Sequence, residues 1–298
     1  MPVIIPKDIP AYAYLKDRSF VMDTERANTQ DIRPLEILIV NLMPTKIDTE
    51  NQILSLLSNS PLQTNITLLS TQTYIGQNTP IEHLNQFYIG IEEAKKRRFD
   101  GAIVTGAPVE TLAYTDVHYW HELQGIFNFL KEHVTSTLYL CWGAMAGLYH
   151  FHGIDKVALD EKKFGIFDHE KQADDLLLTN LNDFVAIPHS RHSALNETQV
   201  KNASGVEVLL YSEEAGSTVL RNDQDIFIMG HPEYTRETLH KEFIRDKDLG
   251  KAIKPPVNYY RTRIGDLNDI NYKWRSDSNT LFSNWINYRI YQTTPFVL

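Results

Sequence analysis

The segment Leu138-Tyr139-Leu140-Cys141-Trp142-Gly143-Ala144-Met145-Ala146-Gly147 decides the fold. An apolar run at 137–140 ends at the only cysteine of the chain, and small residues that suit a helix start follow at once. Strand, nucleophile and helix in that order make a tight turn that lifts the cysteine out at the top of a sheet, where small neighbours keep the crowded backbone free of clashes. The helix N-terminus favours a thiolate through its dipole, and its free amides, that of Trp142 among them, can hold an oxyanion. A lone cysteine among apolar residues is as readily a small buried hydrophobe, so the motif needs partners before it implies chemistry.

Upstream, ILIV at 37–40, ITLL at 66–69 and GAIV at 101–104 are short apolar runs of the kind buried on both faces. Helix-like segments separate them. In one of these Val117, Trp120, Leu123, Phe127 and Leu130 recur at steps of three and four as a buried stripe, with Asp116 placed to cap its start. This alternation predicts an α/β fold, a mostly parallel sheet with helices on both faces and ligands at the C-terminal ends of the strands. After Gly153 the chain becomes strand-rich, with VEVLLY at 206–211, STVLR at 217–221 and DIFIMG at 225–230 spaced like an antiparallel insert or edge. A helix over 236–249 ends at Gly250, and the aromatic tail 281–291 reads as a last helix on the domain or in a dimer interface. Residues 1–34 read as an extended N-terminal arm and 35–298 as a single catalytic α/β domain.

Composition narrows the function. The chain has 298 residues, 42% hydrophobic and 22% charged, an ordinary globular mix that excludes a disordered or fibrous protein. Lys+Arg 29 against Asp+Glu 38 leaves a net charge of −9, which argues against a nucleic-acid or anionic-membrane surface. One cysteine allows neither an internal disulfide nor a multi-thiolate zinc site. The longest apolar stretch, 138–149, falls short of the roughly 20 residues of a membrane helix. The start, MPVIIPKDIPAY, lacks an extended apolar core, so a cytoplasmic location is expected.

A base for the cysteine follows DIFIMG as Gly230-His231-Pro232-Glu233. His231 leaves the C-terminal end of a strand, and Glu233, two residues on, is placed to hold one imidazole nitrogen so that the other faces the thiol. By itself His-Pro-Glu suits a loop that begins a helix. Joined to Cys141 it forms the Cys-His-Glu arrangement of the class I glutamine amidotransferase-like fold.

The chain resembles, over nearly its whole length, the homoserine O-acyltransferase (homoserine transsuccinylase) family that begins methionine synthesis. The resemblance rests on Asn41-Leu42-Met43-Pro44-Thr45-Lys46, Leu56-Leu57-Ser58-Asn59-Ser60-Pro61-Leu62-Gln63, Thr105-Gly106-Ala107-Pro108, Leu140-Cys141-Trp142, Pro188-His189-Ser190-Arg191 and Gly230-His231-Pro232-Glu233-Tyr234. It implies that Cys141 accepts the acyl group, His231 is the general base and Glu233 orients it. Lys162, Ser190 and Arg245 fall on substrate-contacting positions, and Lys46 on a position that would contact substrate or CoA. The position after TGAPV is glycine in members that look succinyl-specific and glutamate in those that look acetyl-specific; here it is Glu110. The physics agrees, since two like charges about 4 Å apart repel by roughly 4 kcal/mol at an effective dielectric near 20, and a glutamate side chain fills the room of a longer acyl group.

The resemblance therefore implies an acetyltransferase that passes the acetyl group of acetyl-CoA through a cysteine thioester to L-homoserine, with no bound cofactor and a homodimeric assembly. A succinyltransferase is the near alternative. A glutaminase is a further one, although its elbow reads Cys-x-Gly-x-Gln and this chain has Met145 at the glutamine position. A non-catalytic scaffold would acquire no thioester. Lys95-Lys96-Arg97-Arg98 reads as the solvated, dipole-complementing end of a helix. The pairs His118/His121, His150/His152 and His189/His192 are read as chance neighbours rather than metal ligands.

Overall fold

The computed structural model describes residues 3–17, 21–27, 33–73 and 78–294. In chain order its elements are β1 (Val3–Ile4), α1 (Pro10–Leu15), β2 (Val21–Met22), α2 (Thr24–Ala27), β3 (Leu35–Val40), α3 (Lys46–Leu57), β4 (Thr64–Leu69), α4 (Ile81–Phe87), β5 (Tyr88–Ile89), α5 (Ile91–Ala94), β6 (Phe99–Val104), α6 (Trp120–His133), β7 (Val134–Leu140) and α7 (Trp142–His152). The second half holds β8 (Lys156–Lys171), β9 (Phe184–Leu195), α8 (Glu197–Asn202), β10 (Glu207–Ser212), β11 (Gly216–Asn222), β12 (Asp225–Ile228), α9 (Thr238–Asp248) and α10 (Arg275–Asn284).

All these strands join one sheet in the order β2-β1-β4-β3-β6-β7-β12-β11-β10-β8-β9, with β5 beside β4. From β2 to β12 the pairings are parallel, and from β12 to β9 they are antiparallel. Side chains alternate between faces as a strand requires: Ile37 and Ile39 enter one core with Ile53, Leu57 and Trp285, while Leu38 and Val40 enter the other with Leu123, Phe127 and Trp142. A third cluster, around Phe164, Tyr234, Phe243, Tyr259 and Trp274, sits under the chain that leads to α10. Among the described residues no helix is long and apolar enough to cross a membrane.

The strands expected at 37–40, 66–69, 101–104 and 137–140, and the three expected between 206 and 230, are present with ends shifted by up to three residues. Three expectations are corrected. Asp116 does not cap the long helix: residues Tyr114–Asp116 form a 3-10 turn that buries Tyr114, and α6 starts only at Trp120. The expected extended arm is folded where described, because Val3, Ile4, Ile5, Ile9 and Leu15 are apolar enough to extend the sheet and core; β1 lies between β2 and β4, and α1 packs on α3. Residues 1–2, 18–20 and 28–32 of that segment lie outside the described residues. The last helix begins at Arg275 and widens into π-helical turns over Trp285–Tyr291, which dock on this domain, with Trp285 Nε1 donating to Ser136 Oγ at 3.0 Å. At 95–97 the basic run is paired outward, Lys95 with Glu92 and both Lys96 and Arg97 with Glu93.

The approach of α7 to the sheet sets the site. A Cβ on Gly143 would lie 2.5 Å from the Thr105 carbonyl oxygen and 3.1 Å from Val104 Cγ1, so only glycine lets the first turn of α7 sit this close to the end of β6. We expect Gly143→Ala to lower the unfolding free energy by about 1–3 kcal/mol, read as a lower urea midpoint. Gly125→Ala on α6, where an added Cβ meets nothing within 4 Å, should instead stabilise by up to about 1 kcal/mol. Equal midpoints for Gly143→Ala and the native protein would contradict the close approach.

Candidate active site

Cys141 follows β7 and His231 follows β12, and these are neighbouring parallel strands, so both side chains emerge at the same end of the sheet. Cys141 stands at φ 47°, ψ −116°, a backbone conformation a non-glycine residue adopts at a cost of order 1–3 kcal/mol. Local hydrogen bonds hold it there. Its N–H donates to the Ile228 carbonyl at 2.7 Å, and its carbonyl accepts from the amides of Ala144 at 3.0 Å and Met145 at 3.1 Å. The expected strand-cysteine-helix turn is thus present, and the Trp142 amide lies in the first turn of α7, where no intrahelical acceptor is available.

His231 Nδ1 is 2.7 Å from Glu233 Oε1, its N–H donates to the Pro188 carbonyl at 2.8 Å, and its ring stacks on Tyr234 with centroids 4.1 Å apart. Burial alone would lower its pKa, but interaction with Cys141 and the Glu233 carboxylate holds it well above the ordinary imidazole range. Gly106, from the loop after β6, closes the third side: a Cβ there would lie 3.3 Å from Cys141 Cβ and 3.7 Å from His231 Cε1. Cys141 and His231 therefore line one cleft of about 310 Å³ together.

Of the residues expected to contact substrate, Lys162, Ser190 and Arg245 line this cleft with Glu110, Cys141 and His231. Lys162 and Ser190 come from the β8/β9 hairpin, whereas Arg245 comes from α9. Two residues that the sequence reading passed over tie them together. Glu242 accepts from Ser190 Oγ at 2.5 Å and Tyr234 Oη at 2.8 Å and faces Lys162 Nζ at 3.4 Å, so one carboxylate links the hairpin to the ring stacked on His231. Asp246 takes Arg245 Nε–H at 3.0 Å and Lys251 Nζ at 3.1 Å; burial would raise its pKa, yet these cations hold it at about 2. No partner among the described residues takes the two Nη groups of Arg245, which lines the cleft. The available signal for Glu242 was a carboxylate eight residues past Tyr234 on an amphipathic helix, but spacing alone does not show that it meets the hairpin.

Lys46 is placed elsewhere. Its Nζ donates to the Asn41 and Met43 carbonyls, burial lowers its pKa to about 8, and it lines a neighbouring apolar pocket with Pro108, Val109 and Tyr119. His189 and His192 also separate: His189 is fully buried, accepting from Arg191 Nε at 3.2 Å and lying 3.2 Å from His169, while His192 is exposed at the cleft. His150 pairs with Asn128 at 2.8 Å. Among the described residues no cluster of three or more His, Cys, Asp or Glu is arranged to hold a metal ion.

The sequence pattern of the homoserine O-succinyltransferase family matches residues 2–296, with the cysteine, the histidine and the whole cleft inside the match. The chain belongs to that family. Relatives of high similarity include the homoserine O-acetyltransferases of Campylobacter jejuni, 56% identical over 301 residues and 100% of both chains, and of Clostridium acetobutylicum, 49% identical over 302 residues and 100% of both. The homoserine O-acetyltransferase of Clostridium beijerinckii is 48% identical over 308 residues, covering 100% of this chain and 99% of its own. In fold, the chain is similar to a glutamine amidotransferase from Thermotoga maritima, with a TM-score of 0.59 at 12% identity, covering 87% of this chain and 100% of that one. A glutamine amidotransferase from Methylobacillus flagellatus gives 0.57 at 12% identity, over 87% and 96%. Such distant likeness establishes the class I glutamine amidotransferase-like fold of this family member and nothing of its chemistry.

The raised pKa of His231 gives a signed expectation. A group whose folded pKa is raised contributes stability that is full below its ordinary value and is lost as pH rises through the folded value. Glu233→Gln removes one of the two charges responsible, so the His231 resonance, followed by NMR, should titrate at lower pH than in the native protein. An unchanged titration would detach Glu233 from the base.

Proposed function

We infer that the chain transfers the acetyl group of acetyl-CoA to the γ-hydroxyl of homoserine in methionine biosynthesis, with Cys141 as the acyl carrier. The observation that supports this most is the pairing of a strained, helix-capping cysteine with a charged histidine in a family whose full-length relatives at 45–56% identity are homoserine O-acetyltransferases.

In the first half-reaction the Cys141 thiolate attacks the thioester carbonyl, and the oxyanion is held by the free Trp142 amide. The carbon–sulfur bond to CoA breaks, and the His231 imidazolium returns its proton to the departing CoA thiolate. In the second, His231 takes the γ-hydroxyl proton as that oxygen attacks the acetyl-cysteine, and the ester departs with the thiolate–imidazolium pair restored. Glu233 holds the imidazole throughout.

Homoserine is a zwitterion, and the cleft offers both signs. Arg245 presents its Nη groups, unpaired among the described residues, to the carboxylate, a bidentate fit. Three carboxylates line the cleft. Asp246 is taken up by Arg245 and Lys251, and Glu110 by a backbone amide at His192, whereas Glu242, which already accepts from Ser190 and Tyr234 beside Lys162, has oxygens with further acceptor capacity for the α-ammonium group. Lys162 then balances the pair of carboxylates. Glu110 supports acetyl over succinyl as donor. The homodimer remains a proposal of the family resemblance alone.

Initial rates with varied acetyl-CoA and homoserine should give parallel double-reciprocal lines and O-acetylhomoserine as product. Glu242→Gln and Arg245→Leu should each raise the homoserine KM by about ten- to a hundredfold, the range of a lost charged hydrogen bond, while sparing acylation by acetyl-CoA. Intersecting lines, or an unchanged homoserine KM in both variants, would contradict the assignment.

A further inference from the structure

Behind His231 lies a second pair of imidazoles that the reaction does not use. The β8/β9 ladder breaks opposite His192, where residues 159–162 leave the pairing, and beyond that break His169 on β8 and His189 on β9 are fully buried with ring centroids 5.2 Å apart. The chain at Gly230-His231 rests on this wall. The His231 N–H donates to the Pro188 carbonyl at 2.8 Å, and a Cβ on Gly230 would lie 2.8 Å from the same oxygen and 3.1 Å from His189 Nε2. β9 is four places from β12 in the sheet, so the sheet curls to bring its far edge against His231.

The polar atoms of this wall admit one placement of hydrogens. The buried Arg191 guanidinium can only donate, and its Nε lies 3.2 Å from His189 Nδ1, so that nitrogen is bare and a neutral His189 carries its hydrogen on Nε2. The Val185 carbonyl can only accept, and it lies 3.1 Å from His169 Nδ1, so that nitrogen carries the hydrogen and His169 Nε2 is bare. His189 Nε2–H then donates to His169 Nε2 at 3.2 Å, and the row runs one way, from Arg191 through His189 and His169 to Val185. Arg191 is held in turn by the Ala215 carbonyl at 2.5 Å and the Ser193 carbonyl. Charging His169 would set two N–H groups against each other at the Nε2 pair, and charging His189 would do the same against Arg191. Burial lowers both pKa values, to about 4 for His169, where Arg191 adds to the effect and Asp168 opposes it, and well below the ordinary range for His189, where Arg191, His169, His231 and Lys163 add to it.

We propose that His189 is a positioning residue for the base: held neutral in this row, it fixes the Pro188 carbonyl and the Gly230 backbone against which His231 is set, and it takes no share of the proton that His231 carries. This rests on the reading of His231 as the general base and deepens it. Glu233 orients the imidazole through its side chain, whereas the row places the residue through its backbone. Neutrality matters because a second imidazolium beside His231 would oppose the charge that Glu233 favours.

The test reads the hydrogens first. With the histidines labelled by nitrogen-15, NMR of the native protein should place the hydrogen of His189 on Nε2 and that of His169 on Nδ1, with neither ring titrating between about pH 5 and 8, where an ordinary imidazole changes charge. The opposite tautomer at either residue, or titration of either in that range, would overturn the row. His169 does not line the cleft, so His169→Leu deletes the acceptor in the middle of the row from a distance. It should lower kcat by about ten- to a hundredfold, the scale of a misplaced catalytic group, leave the homoserine KM nearly unchanged and move the His231 titration. His169→Gln, whose amide oxygen accepts the same hydrogen bond and takes up no proton, should retain most of the rate and the native His231 titration. A folded His169→Leu with native kcat and an unmoved His231 titration would overturn the proposal, and so would a loss in His169→Gln as large as in His169→Leu. If His169→Leu does not fold, His169→Gln decides, and a tenfold or greater loss of kcat there counts against the row. Failure of the native protein to take acetyl from acetyl-CoA would instead strike the acyltransferase reading, while the tautomers still decide the row.

Discussion

Everything in the site follows from the backbone of Cys141. At φ 47° the residue bears strain of order 1–3 kcal/mol, and the surrounding structure over-determines it. β12 receives its amide, α7 returns two amides to its carbonyl, and Gly143 lets α7 press against the Thr105 carbonyl. The same contacts that fix Cys141 fix His231, because Ile228, which receives the Cys141 N–H, ends the strand that leads into His231. Stability is thus given up at one residue and recovered from two apolar cores that bury both faces of the sheet.

Onto this parallel centre the second half of the chain adds an antiparallel extension that lines the cleft. The β8/β9 hairpin brings Lys162, Ser190 and His192 to the cleft, and α9 brings Glu242, Arg245 and Asp246 from the other side. Glu242 joins the two through Ser190 and reaches the base through Tyr234, whose ring lies on His231. Two hydrogen bonds and one ring stack therefore link the hairpin and α9 to the imidazole, so a change in how the hairpin meets α9 is felt at His231.

The central strands were legible because runs such as those at 37–40 and 101–104 are apolar at every position, the mark of burial on both faces. Cys141, His231 and Glu233 were legible because a strand end and a two-residue spacing are local. The hairpin was not: KVALDEKKFGIFDHEK over Lys156–Lys171 mixes charges into both faces and contains the break opposite His192, so no period of two survives. The two-residue strands β1 and β2 are too short to show a pattern at all. Asp116 misled because it ends a 3-10 turn and the helix starts only four residues later, at Trp120; the Lys46 amine turns to the Asn41 and Met43 carbonyls, an arrangement its motif does not encode. Glu242 and Tyr234 act through tertiary contacts that spacing does not encode.

The account turns on a covalent acetyl-enzyme at Cys141. Intact mass spectrometry after exposure to acetyl-CoA alone, without homoserine, tests it most directly. The protein should gain one acetyl group, mapped to the Cys141 peptide, lost to hydroxylamine or on adding homoserine, and absent from Cys141→Ala. A native protein that stays unmodified while still making O-acetylhomoserine when both substrates are present would contradict it.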